Sequence, residues 1–491
     1  MDVVQLSRLQ FALTISFHFI FPSITIGLAG MIAVTETLRW WTKREVYDRM
    51  AVFLTKLFAV TFVIGVVSGV VMEFEFGTNW AAFSGYVGDI FGAPLAAEGI
   101  MAFFLESAFV GLILFGRDRI SSTVRWIAGL LVAFGTLLSA FWILVANSFM
   151  QTPAGYTCYP DPACGPTTTK LVLTDFFAAV FNAGTLTRTL HTVSACYVVG
   201  AFFLTGVAAF YVLRGRNLDV ARLSLRLGIV TAFLFSGSMF MSGDLQTREV
   251  AANQPVTFAA MEGLCQTQSG VELAIIGIPP SQNCATSAQT VGIPYGLSAM
   301  ENFDPNSQVK GLLDLQPDQS LWPPLAETFL SFHMMVGLGV LMLLLMTIGA
   351  FFLLRRSIEK HRWFLWAVVL AIPLPILAVE IGWMTAEVGR QPWIVYGLMM
   401  TDKGVSPGVS AGDVLLSLGT ILVVYSLLFF LWLYSLRKEI IRGPGLAPGV
   451  VEAPATPPAG TQVVPAGAAA AAGAAGSAAA SAASAFGDGG R

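Results

Sequence analysis

The feature that most constrains this chain is a recurring apolar run of about 20 residues, the length a helix needs to cross the hydrocarbon core of a bilayer. Such runs lie near residues 11–35, 52–72, 98–116, 126–147, 189–213, 224–242, 326–354, 364–383 and 413–436. With 55% of the 491 residues hydrophobic and only 12% charged, the chain is poorly suited to a water-facing surface. The expected fold class is an all-α integral membrane protein of about nine transmembrane helices. The first run continues without a small-residue cleavage site, so it is read as a retained helix rather than a signal peptide.

Orientation follows from the basic residues of the short connections, which collect on the cytoplasmic side. Every second connection is basic: Arg39, Lys43, Arg44 and Arg49; Arg117, Arg119 and Arg125; Arg214, Arg216, Arg222 and Arg226; Arg355, Arg356, Lys360 and Arg362; Arg437, Lys438 and Arg442. The others carry Glu73, Glu75 and Asp89, then a long segment with few bases, which predicts an outside N-terminus and a cytoplasmic C-terminus. Disulfides persist in oxidising compartments. Cys158 and Cys164 share one predicted outside loop and Cys265 and Cys284 another, so the pairs Cys158–Cys164 and Cys265–Cys284 are expected. Cys196 falls within a span, where a free thiol is a small buried side chain.

The expected organisation is helices 1–6 over residues 1–242, an extracytoplasmic loop over 243–325, helices 7–9 over 326–442, and a tail over 443–491. The tail is Ala, Pro, Gly and Ser with almost no charge, and lacks the large apolar side chains that offset ordering entropy. It is expected to be disordered and cytoplasmic. A second outside loop, 148–188, carries turn chemistry in Pro160, Asp161, Pro162 and Gly165 and should end in a short helix. No phosphate-cradling glycine loop, nucleic-acid signature or transporter-like inverted repeat is evident, so no nucleic-acid partner is expected.

An ionisable side chain inside a span costs about 2.5–3.5 kcal/mol on insertion scales, so each needs a reason. His18, Glu98, Glu106, His191, His333, Glu380, Glu387 and Arg390 lie in spans or at their outer ends. All but Glu106 and Glu380 fall near the predicted outside end. Any one of them can be a hydrogen bond between helices or a group reaching for headgroups, but a set at one depth points to a site. The fourth histidine, His361, belongs to a basic connection and reads as a surface residue. Imidazole is a common axial ligand of haem iron, and a thioether completes a saturated low-spin centre. His191 opens the fifth span and Phe332-His333-Met334-Met335 the seventh, which makes a His/Met pair from these helices geometrically sensible. Methionine is also a common apolar filler, so the residues alone leave Met334 and Met335 open. Glu98 and Glu106 lie eight residues apart on one helix, about 12 Å in rise and about 80° around the axis, where two carboxyl groups can line one proton path.

These residues resemble subunit I of the cytochrome bd quinol oxidases over about residues 5–440. The resemblance rests on Arg8-Leu9-Gln10-Phe11 with His18, Met72-Glu73-Phe74 through Trp80, and Gly92-Ala93-Pro94-Leu95 through Glu98 to Glu106-Ser107. It extends to Ala146-Asn147 with Met150-Gln151, and to Gly382-Trp383 through Glu387 to Arg390-Gln391-Pro392-Trp393. It implies a haem-bearing subunit of a terminal oxidase in the bacterial cytoplasmic membrane, oxidising quinol outside and reducing dioxygen to water. Protons for water would come from the cytoplasm, building membrane potential without pumping. The implied cofactors are two b-type haems, one low-spin and one high-spin, and one haem d. The implied partners are a second large subunit and, in some members, a very small one.

The implied residue roles are as follows. His191 and Met335 ligate the low-spin haem b, while His18 and Glu387 each serve one high-spin haem, with Glu98 a further ligand or a proton donor. Trp383 lies between haems, and Arg390 and Arg8 neutralise propionates or stabilise reduced haem. Glu106 and Ser107 belong to the proton route, and Glu262 contacts quinol and accepts its proton. Two positions depart from the family pattern: His333 stands where an Arg is common, and Thr257 where a Lys is found five residues before the loop Glu. Lacking a long insertion, the loop is of the short type.

Overall fold

The computed structural model describes residues 2–99, 104–116, 119–165 and 167–445. Arg117 and the tail from residue 446 lie outside the described residues. The helices are α1 (Val3–Thr42), α2 (Glu45–Thr78), α3 (Ala81–Ala97), α4 (Phe104–Phe115), α5 (Ser122–Gln151), α6 (Phe176–Val180), α7 (Thr185–Arg214) and α8 (Leu218–Asn253). They continue with α9 (Pro255–Glu262), α10 (Gly296–Asn302), α11 (Leu312–Leu315), α12 (Leu325–Leu354), α13 (Arg362–Leu370), α14 (Pro373–Gly389) and α15 (Ala411–Arg442). Among the described residues, eight helical stretches are long and apolar enough to cross a membrane: those of α1, α2, α5, α7, α8, α12, α13 with α14, and α15. The expected third span is represented by the shorter apolar α4, residues 100–103 lying outside those described.

Local chemistry sets several helix ends. Asp2 caps α1 in a reciprocal box with Gln5, its Oδ1 accepting from the Gln5 N–H at 2.8 Å. Ser410 and Asp413 form the same box at α15, and Gly215 closes α7 in the left-handed conformation. α1 and α7 meet backbone to backbone: a Cβ on Gly27 would lie 2.4 Å from the Cys196 carbonyl, and one on Gly200 would lie 2.6 Å from the Gly27 Cα. Near the first turn of α5 an ion cluster binds three helices. Glu36, fully buried, accepts from Arg39 Nε at 2.6 Å and Arg125 Nε at 2.8 Å, while Arg125 Nη1 reaches Asp48 at 2.6 Å. Removing one partner from such a cluster would leave an uncompensated buried charge, which costs about 3–5 kcal/mol.

Three boundaries differ from the sequence reading. Glu73 and Glu75 do not lie in a connection, because α2 continues to Thr78 and Glu75 is buried against α1. The connection after it is helical: Phe83, Tyr86, Val87, Ile90, Phe91 and Pro94 of α3 recur at the helical period and are all buried. The eighth expected span is interrupted between α13 and α14 at Ala371-Ile372, just before Pro373, which has no N–H to continue the ladder. In addition, α8 runs past residue 242 to Asn253.

Among the described residues outside the long helices, the chain forms four antiparallel two-stranded ribbons. They are β1 (Tyr156–Tyr159) with β2 (Lys170–Leu173), β3 (Gln268–Ser269) with β6 (Gln308–Val309), β4 (Leu273–Ile278) with β5 (Gln289–Ile293), and β7 (Trp393–Val395) with β8 (Met399–Met400). Disulfides join Cys158 to Cys164 and Cys265 to Cys284, and Cys196 is a buried free thiol. The segment between α8 and α12 has its own core, in which Phe258, Met261 and Leu264 pack with Val271, Leu297 and Trp322.

Candidate functional site

Each of two helix pairs holds an imidazole in the same way. His18 of α1 meets Ser68 of α2 through Nδ1 at 3.0 Å, and His191 of α7 meets Ser242 of α8 through Nδ1 at 3.1 Å. A glycine follows each serine: a Cβ on Gly69 would crowd His18 Cε1 at 3.1 Å, whereas one on Gly243 would make ordinary contact with His191 Cε1 at 3.5 Å. α5 runs antiparallel to α1, Arg125 near its start meeting Glu36 near the end of α1, and α7 follows α5 back in the opposite sense, so α1 and α7 are parallel. His18 precedes Gly27 by nine residues and His191 precedes Gly200 by nine, so both rings stand at about the same distance, about 13 Å, from the contact between their helices.

On α12, Met335 turns to α14, where a Cβ on Gly382 would lie 2.6 Å from its Sδ. Met334 is 53% exposed. His333, two residues before Met335 and so on the opposite side of the helix, bonds through Nδ1 to the Phe329 carbonyl at 2.9 Å and lies 4.1 Å from the Phe329 ring. Its Nε2 is buried without a hydrogen bond among the described residues.

A buried polar network joins α5, α7, α8 and α14. Glu387 is salt-bridged to Arg390 and accepts from Asn147 Nδ2 at 2.8 Å and Gln151 Nε2 at 3.4 Å. Gln151 Oε1 accepts from Gln254 Nε2 at 2.7 Å, and Gln254 Oε1 accepts from Arg188 at 3.4 Å. Arg188 is paired with Glu249 at 3.1 Å. Arg390 Nη1 and Arg188 Nε are both buried without a partner among the described residues. Two buried guanidinium nitrogens with no acceptor among the described residues are donors that an added anionic group could satisfy.

Glu98 accepts from Ser139 of α5 at 3.1 Å, and Glu106, buried at the start of α4, faces Gly135 of α5. A Cβ on Gly135 would lie 2.9 Å from Glu106 Cγ, so the glycine makes room for the carboxylate stem. Ser107 follows on α4, half-buried. Trp383 is half-buried with its ring 6.4 Å from that of Phe11. Arg8 is exposed and lines an open cleft of about 570 Å³ with Gln282, Trp322 and Gln391.

Glu262 ends α9 and is 4% exposed, with both carboxylate oxygens unpartnered among the described residues. Burial pushes its carboxyl up to about 8, and the nearby charge of Glu301 adds to the shift. Glu301 is itself raised by burial. Thr257 ties α9 to α14, its hydroxyl donating to the Gly389 carbonyl at 2.7 Å.

Sequence reasoning missed Ser68, Ser242, Arg188, Glu249 and Gln254, and quoted Asn147 and Gln151 within a motif without giving them a role. A signal was present for Arg188, a cation three residues before His191, and for Glu249, a carboxylate within the helix that continues the sixth expected span. Glu75 was also missed as a buried group; it accepts from Gln10 at 3.3 Å and Thr14 at 3.1 Å.

Comparison with known proteins fits this arrangement. The family model for cytochrome bd terminal oxidase subunit I matches residues 6–444. Cytochrome bd ubiquinol oxidase subunit 1 of Bacillus subtilis (strain 168) is 37% identical, over 90% of this chain and 94% of that protein. Cytochrome bd-II ubiquinol oxidase subunit 1 of Escherichia coli (strain K12) is 36% identical, over 90% of this chain and 97% of that protein. The solved bd oxidase of Geobacillus thermodenitrificans superposes with a TM-score of 0.81 at 30% identity, over 90% of this chain and 99% of that chain. With membrane-length helices and bacterial relatives, the chain is a multi-pass protein of the bacterial cytoplasmic membrane. It belongs to the family of cytochrome bd terminal oxidase subunit I.

Proposed function

We propose that this chain is the haem-bearing subunit of a respiratory oxidase that oxidises quinol at the outer face of the membrane and reduces dioxygen to water with cytoplasmic protons. The observation that carries the reading is the pair of imidazoles, His18 and His191, held at one depth inside apolar helices of a chain of this family. The residues fit haem. Imidazole nitrogen and the Met335 thioether are iron ligands, and the orphaned guanidinium edges of Arg390 and Arg188 are suited to propionates.

His191 and Met335 would hold a low-spin haem b; the contact of Met335 with α14 and the exposure of Met334 favour Met335. His18 and Glu387 would each hold a high-spin haem, one of b type and one of d type, with Glu98 as a further ligand or proton donor. Trp383 would lie between haems, and Arg8 would serve a propionate from the cleft side. Haems held by these residues would supply one-electron transfer and the chemistry of dioxygen reduction.

Glu262 would accept a quinol proton. Buried and favouring its protonated form at neutral pH, it must first release a proton outward. Glu106, Ser107 and Glu98 would carry protons inward, with Ser139 holding Glu98. The basic connections support a cytoplasmic C-terminus and an outside N-terminus. Release of quinol protons outside and uptake from inside moves charge without pumping, each charge being worth about 2.3 kcal/mol per 100 mV. A second large subunit is the expected partner, and a very small accessory subunit is found in some members.

An absorbance spectrum of the purified oxidase tests the reading. Reduced b-type bands, a band in the red from haem d and carbon monoxide binding are expected. Haems that all refuse carbon monoxide would make the protein a quinol-oxidising cytochrome b instead. No haem at all would favour a transporter.

A further inference from the structure

We infer that Ser68 and Ser242 are positioning residues that hold the imidazoles of His18 and His191 with Nδ1–H engaged and Nε2 presented as the atom that binds haem iron. The inference rests on the ligand reading above and goes beyond it, because it assigns the tautomer and names what fixes it.

A serine hydroxyl has one hydrogen to give. Ser68 Oγ lies 2.9 Å from the Ile64 carbonyl and 3.0 Å from the Gly65 carbonyl, and Ser242 Oγ lies 3.3 Å from the Met239 carbonyl. Carbonyl oxygens can only accept, so each serine hydroxyl has a helix carbonyl to donate to, the usual back-bond of a serine within a helix. The remaining serine lone pair then accepts from the histidine, and Nδ1 is the nitrogen that carries hydrogen. In the neutral ring Nε2 is left with its lone pair, as an iron ligand requires. Both serines are buried, and beside His18 the Gly65 carbonyl is a second acceptor for the ring N–H. At Gly69 the missing Cβ, which would lie 3.1 Å from His18 Cε1, lets the ring sit close to α2. The device occurs twice, on α1 with α2 and on α7 with α8. Its recurrence on two helix pairs argues against a chance polar contact.

The test uses the assembled oxidase. For the low-spin centre, Ser242→Ala and Ser242→Thr are followed by haem content and by redox titration. For His18, Ser68→Ala and Ser68→Thr are followed by the iron–histidine stretching band of the reduced high-spin haem. Loss of the acceptor weakens electron donation from Nε2, which favours ferrous over ferric iron. The expected change in the ferric/ferrous ratio for Ser242→Ala is about tenfold, which is about 59 mV for one electron. The stretching band should fall in frequency in Ser68→Ala. Threonine, which keeps the hydroxyl, should restore both signals. Loss of haem in an alanine variant with retention in its threonine counterpart supports the inference equally. A native potential and a native stretching band in the alanine variants would overturn it, as would equal changes in alanine and threonine. His191→Ala separates the two levels: retention of the low-spin haem there defeats the ligand reading, whereas its loss beside an unaltered Ser242→Ala defeats the serine inference alone.

Discussion

Asn147 of α5 donates through Nδ2 to Oε1 of Glu387 at the end of α14, at 2.8 Å, while the other carboxylate oxygen of Glu387 is paired with Arg390. The carboxylate is thus oriented from two sides before any ligand is considered. Glu387→Ala should lose one high-spin haem and leave Arg390, 3% exposed, without its counter-charge, a loss of about 3–5 kcal/mol. Haem extraction and thermal unfolding in detergent check both effects. Full haem content with normal turnover would remove Glu387 from the ligand set.

Met335→Leu should abolish the low-spin haem signal, because leucine fills similar volume but offers no thioether. Met334→Leu should leave the spectrum unchanged, since that side chain is 53% exposed and the packing against Gly382 is made by Met335. A reversed outcome would move the ligand to Met334, and a native spectrum in both would turn attention to His333.

Glu262 gives a pH prediction of definite sign. Its carboxyl lies at about 8 because burial disfavours the charged form, and a proton acceptor works only when ionised. The kcat/KM for quinol should therefore rise with pH through about 8 and level off above it. Glu262→Gln should lower the rate and flatten that limb while haem content stays the same. Since the folded value is raised, the contribution of Glu262 to stability is complete below its unfolded pKa of about 4.3 and is lost as pH rises through about 8. A pH profile unchanged by the substitution would exclude this carboxyl as the acceptor.

How much of this was legible in the sequence depends on the range of the interactions. The spans could be read because lipid demands an apolar run at each crossing. The buried histidines and carboxylates stood out because few ionisable groups interrupt those runs. The helical α3 was overlooked, although Phe83, Tyr86, Val87, Ile90, Phe91 and Pro94 carry the helical period, because its polar face resembles a connection. The continuation of α2 through Glu75 was hidden for another reason: its partners, Gln10 and Thr14, are 65 and 61 residues away. The same holds for Asn147 with Glu387, 240 residues apart, and for Ser68 and Ser242 with their histidines, 50 and 51 apart. Serine, asparagine and glutamine are too common in helices to be given a role until the fold brings them to a charged or ligating group, even where, as with Asn147 and Gln151, they stand in a quoted motif.

Glu106→Gln should slow dioxygen reduction by at least about 10²-fold while quinol still reduces the low-spin haem at the native rate. The substitution keeps the shape of the side chain against Gly135 and removes only its ability to give and regain a proton. Stopped-flow mixing of the reduced enzyme with oxygen isolates that step. Equal slowing of both steps would make Glu106 a packing residue of the α4–α5 contact.

The Cys265–Cys284 bridge closes a loop with a sequence separation of 19, and its first cysteine follows Glu262 by three residues. Closing such a loop is worth roughly 3 kcal/mol in the chain-entropy model, although strain and residual structure often reduce the measured gain. The apolar core around Phe258, Met261 and Leu264 holds α9 without the bridge, so the double variant Cys265→Ser with Cys284→Ser should still fold. What the bridge adds is restraint on the chain that leaves α9 and forms β3, β4 and the turn before β5, next to the buried carboxyl. The double variant should therefore show faster proteolysis within residues 265–284 and a raised KM for quinol, with native haem bands and a native rate of dioxygen reduction by the prereduced enzyme. Altered haem bands would mean that the loop supports the helix bundle itself. A native KM together with faster cleavage would place the restrained segment away from the quinol site, leaving the bridge as a defence against proteolysis.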